Sequence, residues 1–359
     1  MIPNGLYDVE KSFEENYNDG PFFKGPFPER VIFPKKTKIW NFEVNSPLGV
    51  PAGPLPNKRW IETYFKLGYD ILVYKNVRSV YRECHPVPNC QYVEHHKQLG
   101  YKDIGGDLVS APEPEQMSEL AITNSFGVPS MAPAAWMGDV EEAIRSAAKD
   151  QLMITGILGT PGLEGRDLIE DFGYVASMAK EAGSKALELN FSCPNVRTGE
   201  GSIYADPEAS ALISKEVRKA VGPNLPIVIK IGYLPYEQLK AVVKENLPYV
   251  DGIAGINTIP MKVRDKEGNQ ALPGEGRLQS GICGSVITDV SQLFVEDVVQ
   301  IKKELGGTFV LFGVGGIMTP EHAVTRLNAG ADVVMTATAA MWDPTLAIQI
   351  QKELLKSFN

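Results

Sequence analysis

The sequence predicts an α/β fold, a (β/α)8 TIM barrel with an N-terminal strap and long insertions at the C-terminal face of the strands. Three observations carry this. Short apolar β-rich runs alternate with amphipathic helical stretches about eight times, the rhythm of parallel strands buried on both faces. A length of 359 residues suits one large barrel with insertions. Polar residues recur where the strand runs end, on the rim where such barrels build their sites.

Residues 1–38 are rich in aromatics and proline (GPFFKGPFPERVIFPKK at 20–36) and show no clear period. They read as an N-terminal extension, an extended strap packing on a barrel formed by residues 39–359. The strand runs are LGVPA (48–52), DILVYK (70–75), QLMITGI (151–157), KALELN (185–190), PIVIKI (226–231), DGIAGIN (251–257), TFVLFG (308–313) and DVVMTA (332–337). Helical patterns lie between them at 59–68, 140–150, 168–183, 207–222, 236–247, 289–306 and 320–330, most closing on a Gly, Asn or Leu. Residues 76–138 and 258–288 are too long for simple connections and read as lids or walls at the strands' C-terminal ends, not as separate domains.

Composition narrows the function. With 43% hydrophobic and 22% charged residues the chain is globular, not disordered. A formal charge of −9 argues against gripping nucleic-acid backbones over a wide surface, while leaving room for a small anionic ligand in a local pocket. No apolar run approaches the ~18–20 residues that span a bilayer, and no membrane partner is expected. Four cysteines (Cys84, Cys90, Cys193, Cys283) are too few for a disulfide framework, and with no basic-then-apolar leader the expectation is cytoplasmic.

Lys75, Asn190, Lys230 and Asn257 each close a strand run. Any one is ordinarily a satisfied structural group; four on one rim point to a ligand site. The seventh strand runs into Gly313-Val314-Gly315-Gly316-Ile317 and then Thr319-Pro320-Glu321, a glycine turn followed by a helix start. With Thr336-Ala337-Thr338-Ala339 after the eighth strand, this is where barrels of this kind cradle a phosphate. Cys193, within Asn190-Phe191-Ser192-Cys193-Pro194-Asn195, precedes a Gly-rich loop at 197–202. A lone cysteine is usually a small buried hydrophobe, but a thiolate on this rim serves as general base or nucleophile. Cys84, His85, Cys90, His95 and His96 crowd into thirteen residues without a zinc spacing, and no metal is expected. His322 reads as structural.

NFSCPN (190–195) is similar to the active-site motif of dihydroorotate dehydrogenases that use a cysteine base, the soluble class 1 enzymes. PAG (51–53), YKN (74–76), NSFGVPS (124–130), VIKIGY (228–233), INT (256–258), SGICGS (280–285) and GVGGI (313–317) extend the resemblance in order from about residue 38 to the C-terminus. The chain thus resembles the FMN-binding barrel group that also contains dihydropyrimidine dehydrogenases. The resemblance implies FMN bordered by Ala52, Gly53, Lys75, Asn76, Asn190, Lys230, Asn257 and Thr258, with Lys230 near the flavin N1 and C2 oxygen. Gly284, Ser285, Gly315, Gly316, Ala337 and Thr338 would hold its phosphate end. It implies a small-molecule substrate held by Lys75, Asn124, Phe126, Gly127, Val128, Asn190, Asn195, Asn257 and Thr258. Cys193 is the implied base, with Ser192 and Lys230 as the other catalytic groups.

The expected reaction is oxidation of dihydroorotate to orotate, with hydride passing to flavin N5. Asn195 matters for substrate choice, because the pyrimidine-base enzymes carry a histidine at that place. A homodimer is implied, with fumarate as acceptor or with NAD reached through an electron-transfer partner subunit. Three other readings stay open: a flavin enzyme of this fold acting on another cyclic amide such as a dihydropyrimidine base, one acting on RNA, and a non-flavin phosphate-binding barrel with Cys193 merely buried. The charge of −9 weighs against RNA.

Overall fold

All eight strand runs close into one barrel. The structure, a computed structural model, describes residues 5–94, 97–191 and 203–356. The strap contains α1 (Phe13–Asp19) and leads to a hairpin of β1 (Thr37–Ile39) and β2 (Phe42–Val44). The first barrel strand β3 (Leu48–Val50), helix α2 (Lys58–Lys66) and strand β4 (Ile71–Val77) come after it. The first insertion carries β5 (Cys90–Tyr92), β6 (Asp107–Val109) and β7 (Ala121–Asn124) before α3 (Pro133–Ser146). Next come β8 (Leu152–Ile157), α4 (Leu168–Glu181), β9 (Leu187–Asn190), α5 (Pro207–Val221), β10 (Ile227–Lys230), α6 (Tyr236–Asn246) and β11 (Gly252–Gly255). The second insertion holds β12 (Ile259–Arg264) and β13 (Gln279–Gly284). The chain ends with α7 (Thr288–Leu305), β14 (Val310–Val314), α8 (Pro320–Asn328), β15 (Val333–Met335), α9 (Thr338–Trp342) and α10 (Leu346–Leu355).

The parallel order β3-β4-β8-β9-β10-β11-β14-β15 returns on itself. Successive side chains in a strand point to opposite faces, so alternate residues fill the barrel. Ile71 and Val73, Leu152 and Ile154, Ala186, Val228, Phe312 and Val314 make up the buried interior. The hairpin plugs its N-terminal mouth: Ile39 and Val44 join that cluster, and Trp40 lies 5.9 Å from Phe312 while its Nε1 donates to Asp251 O. Continuing the same alternation upward brings Lys75, Glu188, Asn190 and Lys230 to the upper end of the interior. That is the step from pleat to site.

Three features differ from the sequence expectation. The strap is not extended throughout, because Ser12 and Glu15 form a reciprocal capping box that starts α1. Seven residues are too few to display an apolar period. Further along, Arg30 bridges Asp70 and Asp150, and Lys36 also reaches Asp150, which ties the strap to the residues just before β4 and β8. Second, α3 begins at Pro133, one proline-started turn and more ahead of the 140–150 pattern, and α10 lies beyond the last strand, where the sequence pattern marks no helix.

Third, the two insertions are not independent walls. They interleave as one five-stranded sheet, β5-β7-β13-β12-β6, with β7 antiparallel to β13 and β6 parallel to β12. Strands of three to six residues from segments more than 100 positions apart leave no hairpin signal in sequence. Buried Arg277 fastens the two together by donating to Pro86 O, Pro88 O and Ser125 O.

Candidate functional site

Between the barrel's upper rim and this lid sheet lies a cleft with about 1250 Å³ free of protein atoms, its open mouth included. Its barrel wall is set by register. Lys230 stands opposite Asn190 across β10 and β9, and Glu188 sits one pleat below Asn190, so all three face inward. Asn257 Nδ2 approaches Asn190 Oδ1 at 3.5 Å, and Asn257 Oδ1 accepts from Thr258 N at 3.0 Å. Lys75 Nζ donates to Gly53 O at 3.2 Å and lies 5.1 Å from the centroid of the Phe126 ring.

Lys230 and Glu188 are both buried, and neither side chain has a hydrogen bond or an ion pair within 4 Å among the described residues. Burial pulls the Lys230 ammonium below its ordinary range and pushes the Glu188 carboxyl up; each partly restrains the other's shift through opposite charge. Charges left this way favour a polar ligand arriving beside them.

The lid wall is supplied by β5, β7, β13 and the loop after β7. Asn124 Nδ2 lies 3.4 Å from Gly281 O and 3.6 Å from Cys283 Sγ, spanning to the neighbouring strand. The loop then turns through Gly127 (φ +73°) and Val128 (φ +51°), a left-handed pair that is unfavourable for a β-branched residue. Two buried arginines grip it: Arg78 Nε donates to Val128 O, and Arg277 Nε donates to Ser125 Oγ. Ser130 Oγ accepts from Arg78 N, and its main chain pairs with Arg82. Cys90, Cys283 and Tyr7 also line the cleft, with burial raising all three pKa values.

The far end of the cleft is the glycine turn. Gly316 has φ +63°, and a Cβ there would sit 2.4 Å from Thr288 Cα, so only glycine lets the turn lie on the start of α7. Thr319 caps α8, accepting from His322 N, with Pro320 at the first helical position. His322 Nδ1 accepts from Met318 N, the structural role expected of it.

Of the residues singled out in sequence, Ala52, Gly53, Lys75, Asn76, Asn124, Phe126, Val128, Asn190, Lys230, Asn257, Thr258, Gly284, Gly315, Gly316, Ala337 and Thr338 all line this one cleft. Gly127 and Ser285 are set back from it: a Cβ on Gly127 would meet the His85 ring, and Ser285 O is taken by Gln98 and Thr288. Ser192, Cys193 and Asn195 lie outside the described residues, as do His95 and His96. The described members of the histidine and cysteine cluster disperse, with Cys90 on the cleft, His85 against Ser125 Oγ, and Cys84 in a separate hollow beside α1. Glu188, Tyr7 and Cys283 are cleft residues that sequence reasoning does not single out. For Glu188 the signal exists, since Ala186, Glu188 and Asn190 alternate in KALELN and must share a face.

The family model for dihydroorotate dehydrogenase matches residues 35–358. This chain belongs to the dihydroorotate dehydrogenase family. It is 39% identical over 359 residues to a dihydroorotate dehydrogenase of Dictyostelium discoideum, covering 97% of each chain. It is 28% identical over 187 residues to the catalytic subunit of dihydroorotate dehydrogenase B (NAD(+)) of Staphylococcus carnosus, covering 52% of this chain and 58% of that one. It is 29% identical over 186 residues to dihydroorotate dehydrogenase A (fumarate) of Limosilactobacillus reuteri, covering 50% and 56%. Among solved structures, DHODH from Eimeria tenella in complex with ferulenol superposes with a TM-score of 0.72 at 17% identity, covering 93% of this chain and 87% of that one, and shares the barrel fold.

Members of this family are FMN-dependent oxidoreductases, and the chain is an enzyme of that kind. Its cleft fits the cofactor on its own terms. Lys230 is a buried cation without a hydrogen bond or an ion pair within 4 Å among the described residues, Gly53 has no atom within 4 Å of where a Cβ would stand, and the glycine turn closes one end. Among the described residues no group of three or more His, Cys, Asp or Glu side chains is disposed to hold a metal, and no helix is long and apolar enough to cross a membrane.

Proposed function

We propose that this enzyme oxidises dihydroorotate to orotate in pyrimidine biosynthesis, with Cys193 as the base and FMN as the hydride acceptor at N5. The single observation that carries the reading is the convergence of Lys75, Asn124, Asn190 and Asn257 on the cleft that also holds the buried Lys230. Asparagine amides both donate and accept, which matches the alternating N–H and C=O groups of a pyrimidine ring. Lys75, half-buried and held by Gly53 O, supplies positive charge for the substrate carboxylate.

When bound, FMN would supply the redox chemistry, as acceptor for the hydride that leaves C6 of the substrate. The chain's residues do the rest. Ala52, Gly53, Asn76 and Thr258 would flank the ring system, and Lys230 would stabilise negative charge on the reduced flavin. Gly284, Gly315, Gly316, Ala337 and Thr338 would hold the phosphate end. Cys193 removes the C5 proton, and Ser192 and Asn195 act beside it on the motif shared with cysteine-base, class 1 enzymes. The described residues on either side of that motif lie together: Phe191 N donates to Lys230 O, and Tyr204 N donates to Phe191 O.

The relative named for fumarate supports fumarate as the electron acceptor, the relative named as the catalytic subunit of an NAD(+) enzyme supports the variant with a partner subunit, and the resemblance to class 1 enzymes supports a homodimer in the cytoplasm. The test of substrate is anaerobic. Mixing the holoenzyme with dihydroorotate should rapidly bleach the flavin band at ~450 nm, and dihydrouracil should leave it unchanged. Bleaching by dihydrouracil alone would assign the enzyme to the pyrimidine-base reading instead.

A further inference from the structure

Behind the glycine turn, α8 sends Arg326 into a site where it is 1% exposed. Its guanidinium donates to Gly315 O at 3.2 Å, Thr288 O at 2.7 Å, Gln292 Oε1 at 2.5 Å and Ser291 Oγ. Ser291 Oγ itself donates to Gly315 O at 2.6 Å, and Thr288 Oγ1 donates to Gly316 O at 2.8 Å. The carbonyls of both glycines are therefore tied toward α7 and α8, away from the cleft. In a trans peptide the N–H points opposite to its C=O, so the amides of Gly316 and Ile317 face the other way, toward the cleft these residues line. Among the described residues no group accepts from either amide.

Every partner of Arg326 is neutral. No carboxylate lies within 4 Å of it among the described residues; Asp289 and Glu296 are near enough only to act through space. Burial draws its pKa down to about 10, so it stays charged at neutral pH. A buried cation without a counter-charge is unfavourable unless an anion comes close. The cleft wall next to it is the turn with two unengaged amides.

We propose that Arg326 is a positioning residue for the phosphate end of the flavin nucleotide: it holds the Gly315–Gly316 carbonyls back so that the amides face the phosphate, and it places a positive charge beneath it. The proposal rests on the FMN reading above and adds a residue that does not itself line the cleft. It separates the phosphate from the ring, because riboflavin carries the same isoalloxazine without the anion.

The test titrates full-length apoprotein with FMN and with riboflavin, following quenching of flavin fluorescence, for the wild type, Arg326→Met and Arg326→Lys. The expected wild type prefers FMN strongly. Arg326→Met loses about tenfold or more in FMN affinity, the scale of a charge-assisted contact, with riboflavin affinity within about threefold of wild type. Equal loss of both flavins would reduce Arg326 to a structural tie and overturn the proposal. A wild type that binds both flavins equally would instead sink the phosphate assignment of the turn, and the proposal with it. Should Arg326→Met not fold, Arg326→Lys decides: it keeps the charge and loses the fan of donors, so the preference for FMN falls by about three- to tenfold, and an unchanged preference contradicts the proposal.

Discussion

The two walls of the cleft are built by different means. On the barrel wall, Glu188, Asn190 and Lys230 are placed by strand register, continuing inward-facing rows whose lower members are buried and apolar. On the lid wall, Asn124 and the Ser125–Ser130 loop are placed by two insertions interleaved in one sheet, clamped by Arg78 and Arg277 through main-chain carbonyls. A rigid parallel barrel tolerates buried, weakly compensated charge such as Lys230. The lid is held by two buried arginines that donate to main-chain carbonyls, and it carries a strained Gly127–Val128 turn. On the proposed reading this is a division of labour: the barrel wall serves both flavin and substrate, through Lys230 and through Lys75, Asn190 and Asn257, while Asn124 on the lid wall serves the substrate alone.

The largest expected effect is at the proposed base. Cys193→Ser should slow flavin reduction by dihydroorotate about 10²- to 10⁴-fold at neutral pH, with flavin content unchanged in the purified protein. An unchanged single-turnover rate would remove Cys193 from the reaction and leave the barrel wall to act alone.

Lys230→Met comes next and should split two readouts. Flavin reduction slows by about tenfold or more, while the apoprotein melts about 2 °C or more higher, because a buried and disfavoured charge is gone. The pH dependence has a defined sign. The folded state lowers the Lys230 pKa below its ordinary value of 10.5, so the unfolded chain binds the proton more readily, and this group's penalty is present at neutral pH and fades as pH rises toward 10.5. The melting gap between Lys230→Met and wild type should therefore narrow as pH is raised through that window. A gap that widens would contradict the buried-charge account.

Arg277→Met tests the lid. It leaves buried carbonyls of Pro86, Pro88 and Ser125 without their donor. The KM for dihydroorotate should rise several-fold with flavin retained. Loss of flavin without a change in KM would mean the lid is not a separate functional unit.

The same difference between the walls explains how much of each is legible in sequence. The barrel wall is legible because strand ends and glycine turns are local signals: LELN, VIK, INT and GVGG each announce a strand together with the turn that ends it. Even Glu188 is encoded, in the alternation of KALELN. The lid is legible only as motif residues such as Asn124, because the pairing of β7 with β13 and of β6 with β12 joins segments far apart in sequence. Arg78 and Arg277 carry no motif; their roles emerge only once the carbonyls around them are in place. The short α1 is signalled only by Ser12 and Glu15, a capping pair with no apolar stripe behind it.

The division of labour is tested most directly by titrating Asn124→Ala holoenzyme with orotate and following the flavin spectrum. The account predicts full flavin content and orotate affinity lower by about tenfold, the scale of removing one buried amide hydrogen bond to a polar ring. Wild-type orotate affinity accompanied by depleted flavin would contradict it, and would move Asn124 to the cofactor side of the cleft.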